Sequence, residues 1–139
     1  MEKIKYVTEK ELTMDDMEDI LTTAFEGGIN YWAMLDNTTP EWEKAREQVR
    51  ERKGPKESIF YSEVALQVLL NGDSIKFEDA EEEEDSDNWL LNLENFKKGC
   101  TLYEQDRGSL TKKLEDCSFD AEEADCLIQY AMFGEVVFG

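Results

Sequence analysis

The chain has 139 residues and a formal net charge of −19, with an apolar fraction large enough for a folded core. It contains no histidine, which excludes catalytic centres built on a Ser-His-Asp or Cys-His pair. A strongly negative surface repels nucleic acid and anionic lipid and attracts basic partners. No apolar run reaches the roughly 18 residues that a membrane span needs, so no membrane contact is expected.

The first third of the chain predicts a strand, a helix and a second strand. Period-two alternation in "KIKYVT" indicates a strand over residues 3–8. Thr13 is placed to cap a helix whose first turn is acidic and whose apolar residues recur at helical spacing. The double glycine at 27–28 ends this helix. The stretch "INYWAML" then predicts a buried strand over residues 29–35, with Trp32 in the core.

The middle of the chain predicts two helices and a pair of strands. Thr39, followed by proline at the first helical position, caps a helix that stops at Gly54. Ser62 is expected to cap a shorter helix that ends at the Asn-Gly pair at 71–72. The stretches "SIKFED" and "NWLLNL" predict strands that pair across an acidic surface loop at about residues 79–88.

The C-terminal part predicts two helices and a last strand. The segment "NLENFKKGCTLYEQD" has an apolar stripe at helical spacing. Asp120 caps the helix in "FDAEEADCLIQYAMFG", with Glu123 as the reciprocal member of a capping box, and "EVVFG" predicts a strand. We expect Val136 and Phe138 to join the core and Asp125 to sit on an exposed first turn, where the helix dipole favours negative charge.

Together these elements predict an α+β fold in a single domain over residues 1–139. The expected architecture is a small, mainly antiparallel sheet of about four short strands with four to five helices packed on it. Three cysteines without any histidine, at Cys100, Cys117 and Cys126, predict free thiols in a reducing compartment. The N-terminus lacks the apolar stretch of a secretion signal, so the cytoplasm is the expected location.

The run "EDAEEEEDSDNW" allows three interpretations: a metal site, a copy of the phosphates of a nucleic acid, or a solvated loop. Its part "EEDSDNWLLNLE" places oxygen ligands at positions used by a calcium-binding EF-hand loop. However, Asn88 stands where that loop needs glycine, and a strand rather than a helix precedes it. We therefore predict no metal and no cofactor, and expect residues 81–87 to be poorly ordered or on the surface.

Acidic residues outside this run extend the negative character onto the first and last helices. Carboxylates spaced over such a face would mimic the phosphates of a nucleic acid. The residues predicted to contact a basic partner are Asp15, Asp16, Glu18, Asp19, Glu81, Glu82, Glu83, Glu84, Asp85, Asp87, Glu122 and Glu123. The alternative is that they are solvated helix faces with favourable charges at helix N-termini.

A second hypothesis is a binding pocket for a small anionic ligand such as a nucleotide. The stretch "EGGINYW" sets a flexible turn beside two aromatic rings and an amide, and two arginines share one face of the next helix. The predicted ligand-binding residues are Gly27, Gly28, Asn30, Tyr31, Trp32, Arg46 and Arg50. The alternative is a helix end followed by a core strand, beside a basic helix that neutralises the chain's own acidic face.

Three segments, "EGGINYW", "KKGCTLYEQDRG" and "ADCLIQYAMFGEVVFG", resemble a group of small acidic phage and prophage proteins. The resemblance spans most of the chain and implies a viral accessory protein that acts inside a bacterium. By analogy with small phage proteins that block host defences, it implies a non-enzymatic inhibitor of the anti-CRISPR or anti-restriction type. The expected partner is a basic, nucleic-acid-binding host protein whose binding groove the acidic surface occupies, and no catalytic residue is implied.

Overall fold

The computed structural model describes residues 3–7, 10–80 and 88–139, and for residues 5–7 it describes the backbone alone. Within these ranges it contains six α-helices and five β-strands. In chain order the elements are β1 (Lys3–Val7), β2 (Lys10–Thr13), α1 (Met14–Thr23), a π-helical turn (Ala24–Gly28), β3 (Ala33–Leu35), α2 (Pro40–Lys53), α3 (Tyr61–Leu70), β4 (Ile75–Asp79), β5 (Asn88–Leu91), α4 (Leu93–Arg107), α5 (Leu110–Glu115) and α6 (Ala121–Phe133).

The α+β class is confirmed, but the strands form two sheets rather than one. β1 and β2 make an antiparallel hairpin with Ile4 opposite Leu12. β3, β4 and β5 make a three-stranded antiparallel sheet in which Leu35 and Trp89 flank Phe77 on the central strand. The prediction of one sheet with about four strands is wrong because it misses β2 and counts "EVVFG", which is not a strand in the structure.

Side-chain caps begin three helices where the sequence predicts them. At α1, Thr13 accepts a hydrogen bond from the Asp16 backbone, and the Asp16 carboxylate accepts one from the Thr13 backbone. Thr39 caps α2, and Asp120 caps α6 by accepting from the backbone N–H of Glu123. These bonds satisfy backbone donors that have no partner inside the helix.

Two predicted capping details are wrong. The Glu123 carboxylate turns toward α4 and α5 and does not complete a capping box at α6. Helix α3 begins at Tyr61, so Ser62 lies inside its first turn and is buried instead of capping it. Glu63 occupies the reciprocal position and accepts from the backbone of Phe60.

The strand predicted over residues 29–35 is shorter in the structure. Residues 29–32 form a turn in which the backbone N–H of Ala33 donates to the carbonyl of Ile29, and β3 covers three residues. Trp32 is buried as predicted, at 1% exposure, whereas Tyr31 is 48% exposed. The turn therefore directs these adjacent aromatic side chains into the core and toward solvent respectively.

Helix α6 is the central element of the core and packs most extensively against α4. Gly99 of α4 permits this close approach, because a Cβ added there would lie 2.7 Å from the Cβ of Ala131. Leu127, Ile128 and Ala131 are buried as predicted. The expectation for Asp125 is wrong, since this carboxylate is buried.

The C-terminal tail, residues 135–139, folds back along α6 after Gly134 takes a left-handed backbone conformation at φ +77°. Phe138 packs against the core as predicted. Val136 remains 42% exposed, so its predicted burial is wrong. In the part of the chain that the structure describes, no helix is long and apolar enough to cross a membrane.

Candidate interaction surface

Helix α1 carries a cluster of carboxylates that we call the α1 acidic face: Asp15, Asp16, Glu18 and Asp19. Asp16 is partly occupied by its capping bond to Thr13. In the described ranges, no Lys or Arg nitrogen lies within 4.0 Å of Asp15, Glu18 or Asp19. The negative charge of this face is therefore not neutralised by contact ion pairs.

The pKa values of two carboxylates on the α1 acidic face are raised, because the side chains are partly buried and lie close to other negative charges. Burial raises the pKa of Glu18, and repulsion from Glu63 and from its neighbours on α1 raises it further, while Lys53 partly offsets the effect. Burial and repulsion from Asp16 and Asp15 likewise raise the pKa of Asp19. Like charges held close disfavour ionisation of each other, and a bound cation would relieve that cost.

The acidic residues of α6 have a different environment. The Glu123 carboxylate accepts from Arg107 Nη2 at 2.7 Å, from Lys113 Nζ at 3.2 Å and from the Tyr103 hydroxyl. Hydrogen bonding to Arg107 is the main cause that lowers the pKa of Glu123 to about 2. Glu122 is 78% exposed and lies 3.9 Å from Arg107. Glu123 thus serves an internal network, which leaves Glu122 as the exposed carboxylate of the predicted pair.

The predicted contact residues of the acidic loop cannot be assigned a position. Glu81, Glu82, Glu83, Glu84, Asp85 and Asp87, and with them the prediction for their order and exposure, lie outside the described residues. Among the residues that are described, no group of three or more cysteine or carboxylate side chains is arranged to hold a metal ion.

A buried carboxylate joins the two most distinctive sequence segments. Asp125 of α6 accepts from the Tyr31 hydroxyl at 2.5 Å, from Trp32 Nε1 at 2.7 Å and from Gln129 Nε2 at 2.8 Å. The pKa of Tyr31 is raised to about 12, mainly by burial and next by the hydrogen bond to Asp125. The aromatic pair of "EGGINYW" is therefore fixed to the "AD" of the C-terminal segment.

The side-chain amide of Gln129 extends this cluster to the tail. Its Oε1 accepts from the backbone N–H groups of Val137 and Phe138 at 2.7 and 2.8 Å, and its Nε2 donates to the carbonyl of Phe138 at 3.1 Å. The Phe138 ring then stacks on Trp32, with centroids 5.1 Å apart and planes within 10°. The buried amide of Gln129 thus satisfies backbone groups of the tail that a neighbouring strand would otherwise bind.

The residues predicted to form a ligand pocket take structural positions here. Trp32 has its face covered by Phe138, so a ligand ring cannot stack on it without displacing the tail. Gly28 packs against the start of α6, where an added Cβ would lie 2.9 Å from the carbonyl oxygen of Ala121, while Gly27 has open space. Asn30 and Tyr31 belong to the turn at residues 29–32, and both are exposed.

The two arginines of the same hypothesis lie on α2. Arg50 Nη1 donates to the carbonyls of Gly54 and Glu57 at 2.8 Å each, which braces the segment after the helix. Arg46 is exposed. Nothing in these contacts links either guanidinium to the cluster around Trp32, so the structure does not bring the two halves of the predicted pocket together.

Sequence reasoning missed a groove between α1 with its π-helical turn and the residues that lead into α3. We call it the aromatic groove; its volume is about 560 Å³. Its lining residues are Glu18, Thr22, Phe25, Glu26, Ile59, Phe60, Tyr61 and Ser62. The adjacent pair Phe60 and Tyr61 in "SIFYSE" is a signal that could have indicated it, because neighbouring large apolar side chains that are exposed together mark interaction sites.

No family model, curated protein or solved structure matches the chain.

Proposed function

We propose that this protein is a non-enzymatic interaction protein that binds a basic, nucleic-acid-binding protein through the α1 acidic face. The observation that carries the proposal is the set of carboxylates at Asp15, Glu18 and Asp19, which have no contact ion pair in the described ranges and which repel one another. A surface with this property gains most from a partner that supplies lysine or arginine.

The contrast between the two acidic helices supports the choice of α1. Glu123 on α6 already receives three donors from within the chain, so a partner would have to displace them. On α1, by contrast, the carboxylates are in contact with solvent and are repelled by one another. A partner's lysine or arginine could bind Asp15, Glu18 or Asp19 without displacing a donor from the described part of the chain. The net charge of −19 would in addition steer a basic partner toward the protein before contact.

The resemblance to small phage proteins suggests the setting for this activity. In a phage-infected bacterium, the basic proteins that hold nucleic acid in a positively charged channel include CRISPR effectors and restriction enzymes. We infer that the protein occupies such a channel and thereby inhibits a host defence. The alternative of nucleotide sequestration has less support, since the aromatic ring that it needs most, Trp32, is buried beneath Phe138.

The test is capture of host proteins by the immobilised chain at low and high ionic strength, followed by competition with duplex DNA. The test variant neutralises the α1 acidic face with Asp15→Asn, Glu18→Gln and Asp19→Asn. Its matched control removes the same charge from an exposed stripe of α2 with Glu43→Gln, Glu47→Gln and Glu51→Gln.

We expect the captured basic protein to be lost with the α1 variant, kept with the α2 variant, released at high salt and displaced by DNA. Each exposed ion pair contributes about 0.2–1 kcal/mol, so three together predict about 3-fold to about 150-fold weaker binding. Capture that is independent of salt, or equally reduced in both variants, would refute the assignment to α1.

A further inference from the structure

The aromatic groove adjoins the α1 acidic face and is open to solvent. Phe60 and Tyr61 are 61% and 56% exposed, among the most exposed large apolar side chains of the described residues. Phe25 and Tyr61 also line a second, smaller recess of about 140 Å³ whose other walls include Leu35 and Phe77. The groove therefore offers exposed rings at its mouth and an apolar recess beside them.

Internal contacts hold these rings in place without any partner. The Tyr61 ring packs edge-on against Trp42 with centroids 5.9 Å apart, and its hydroxyl accepts from Asn37 Nδ2 at 3.3 Å. One face of Phe60 carries the ammonium of Lys53, 5.2 Å from the ring centroid. A partner would thus meet a preformed surface, which lowers the ordering cost of binding.

Two carboxylates border the same groove. Glu18 and Glu26 both line it, and neither has an ion-pair partner within the described ranges. A groove with aromatic walls and carboxylate edges is complementary to a group that is both flat and positively charged. Lys53 above Phe60 shows within the chain itself that this aromatic surface accepts a cation.

We propose that the aromatic groove is the docking site for an arginine-bearing segment of the protein partner, with the guanidinium on Phe60 or Tyr61 and paired with Glu18 or Glu26, and an adjacent aliphatic side chain in the recess beside Phe25. The inference rests on the proposed function and specifies the chemistry of the partner.

Arginine fits this site better than the other candidate groups. Its planar guanidinium stacks on rings and forms two parallel hydrogen bonds with a carboxylate, whereas the lysine ammonium is a compact and strongly hydrated charge. Nucleic acid and other anions are repelled by the bordering carboxylates. A second copy of the chain would bring two α1 acidic faces close together, and that repulsion disfavours self-association.

The experiment is a titration of the ¹⁵N-labelled protein with a short capped peptide containing Arg-Leu-Leu-Arg, followed by amide chemical shifts. The comparison peptides replace each arginine with lysine, or with citrulline, which keeps the shape of arginine and removes its charge. The protein variants are Phe60→Ala and Glu26→Gln, and the control is Met34→Ala, which truncates a similarly exposed side chain on the outer face of β3.

We expect shift changes confined to the lining of the groove and its recess, at Glu18, residues 22–26 and 59–62, Leu35 and Phe77. The arginine peptide should bind more tightly than the lysine peptide, and the citrulline peptide should cause no shift changes. Loss of the aromatic contact in Phe60→Ala should weaken binding about two- to thirtyfold, and Met34→Ala should leave it unchanged. Thermal unfolding checks that each variant is folded.

Shifts spread over all acidic surfaces, equal binding of the three peptides, or unchanged binding by Phe60→Ala would overturn the docking site. So would concentration-dependent shifts without peptide, which would assign the groove to self-association. These failures are separable from failure of the proposed function, because Phe60→Ala leaves every carboxylate of the α1 acidic face in place. Salt-sensitive capture of the basic protein that persists without any peptide binding would overturn the docking site alone.

Discussion

Replacing Asp125 tests whether the buried carboxylate stabilises the junction between the turn at residues 29–32 and helix α6. In Asp125→Ala, the indole N–H of Trp32 loses its acceptor at a site that is 1% exposed. A buried donor without a partner costs about 1–3 kcal/mol. The Tyr31 hydroxyl can turn to solvent because its side chain is half exposed, and Gln129 Nε2 keeps its bond to Phe138, so these two add less.

The expected loss is therefore about 2–4 kcal/mol, a large fraction of the stability of a domain of this size. This corresponds to a decrease in melting temperature of roughly 6–16 °C. Equilibrium unfolding in urea, followed by tryptophan fluorescence, measures it directly, since Trp32 lies at the altered site.

The conservative variant Asp125→Asn separates hydrogen bonding from burial. Its oxygen can accept from both Trp32 and Gln129, which share Oδ1 in the structure, while its amide can donate to the Tyr31 hydroxyl. We expect a cost of at most about 1 kcal/mol. Equal destabilisation by alanine and asparagine, or a loss below about 1 kcal/mol for alanine, would refute the argument that these hydrogen bonds stabilise the junction.

Three further perturbations follow from the packing and the ion pairs. Gly99→Ala should destabilise the protein by about 1–3 kcal/mol, because the new methyl group would overlap Ala131, whereas Lys98→Ala, on the exposed side of the same helix, should change the urea midpoint little. Phe138→Ala should lower the free energy of unfolding by about 2–4 kcal/mol through lost contact with Trp32 and Trp89, while Val137→Ala, 56% exposed, should have little effect; equal losses would contradict this. The pKa of Glu123 is lowered from 4.5 to about 2, mainly by Arg107. Its contribution to stability is therefore present above about pH 4.5 and lost as the pH falls toward about 2, so the urea midpoint of Glu123→Gln should depend less on acid than that of the unchanged protein.

Helix boundaries are the part of the fold that the sequence predicted best. Thr13, Thr39 and Asp120 cap helices where their side chains were expected to act, because capping depends on residues within one turn. The short strand β2 and helix α5 were missed, since four and six residues carry too little periodicity. The tail was predicted to be a strand, but its backbone N–H groups at Val137 and Phe138 donate to the side chain of Gln129 instead of to a neighbouring strand.

The sequence predicted that the candidate site would be acidic, but it did not predict which of the acidic residues form internal ion pairs. The acidic residues of α1 and α6 look equivalent in sequence, and the difference between them arises from Arg107 and Lys113, which reach Glu123 only through the packing of α4 and α5 on α6. The contact between Trp32 and Asp125 spans 93 residues of sequence. Such long-range pairs depend on the tertiary fold, and no local pattern encodes them.

The resemblance to phage proteins remains a prediction, and two of the segments on which it rests meet in the core. "EGGINYW" and "ADCLIQYAMFGEVVFG" meet in the cluster formed by Trp32, Asp125, Gln129 and Phe138. Their side chains are occupied in holding the turn, α6 and the tail together, so a protein with both segments is expected to share this fold. The surface that we propose for binding, the α1 acidic face and the aromatic groove, lies outside both segments except for Glu26. Shared segments would therefore predict a shared scaffold, whereas the choice of partner would depend on the side chains of α1 and on Phe60 and Tyr61.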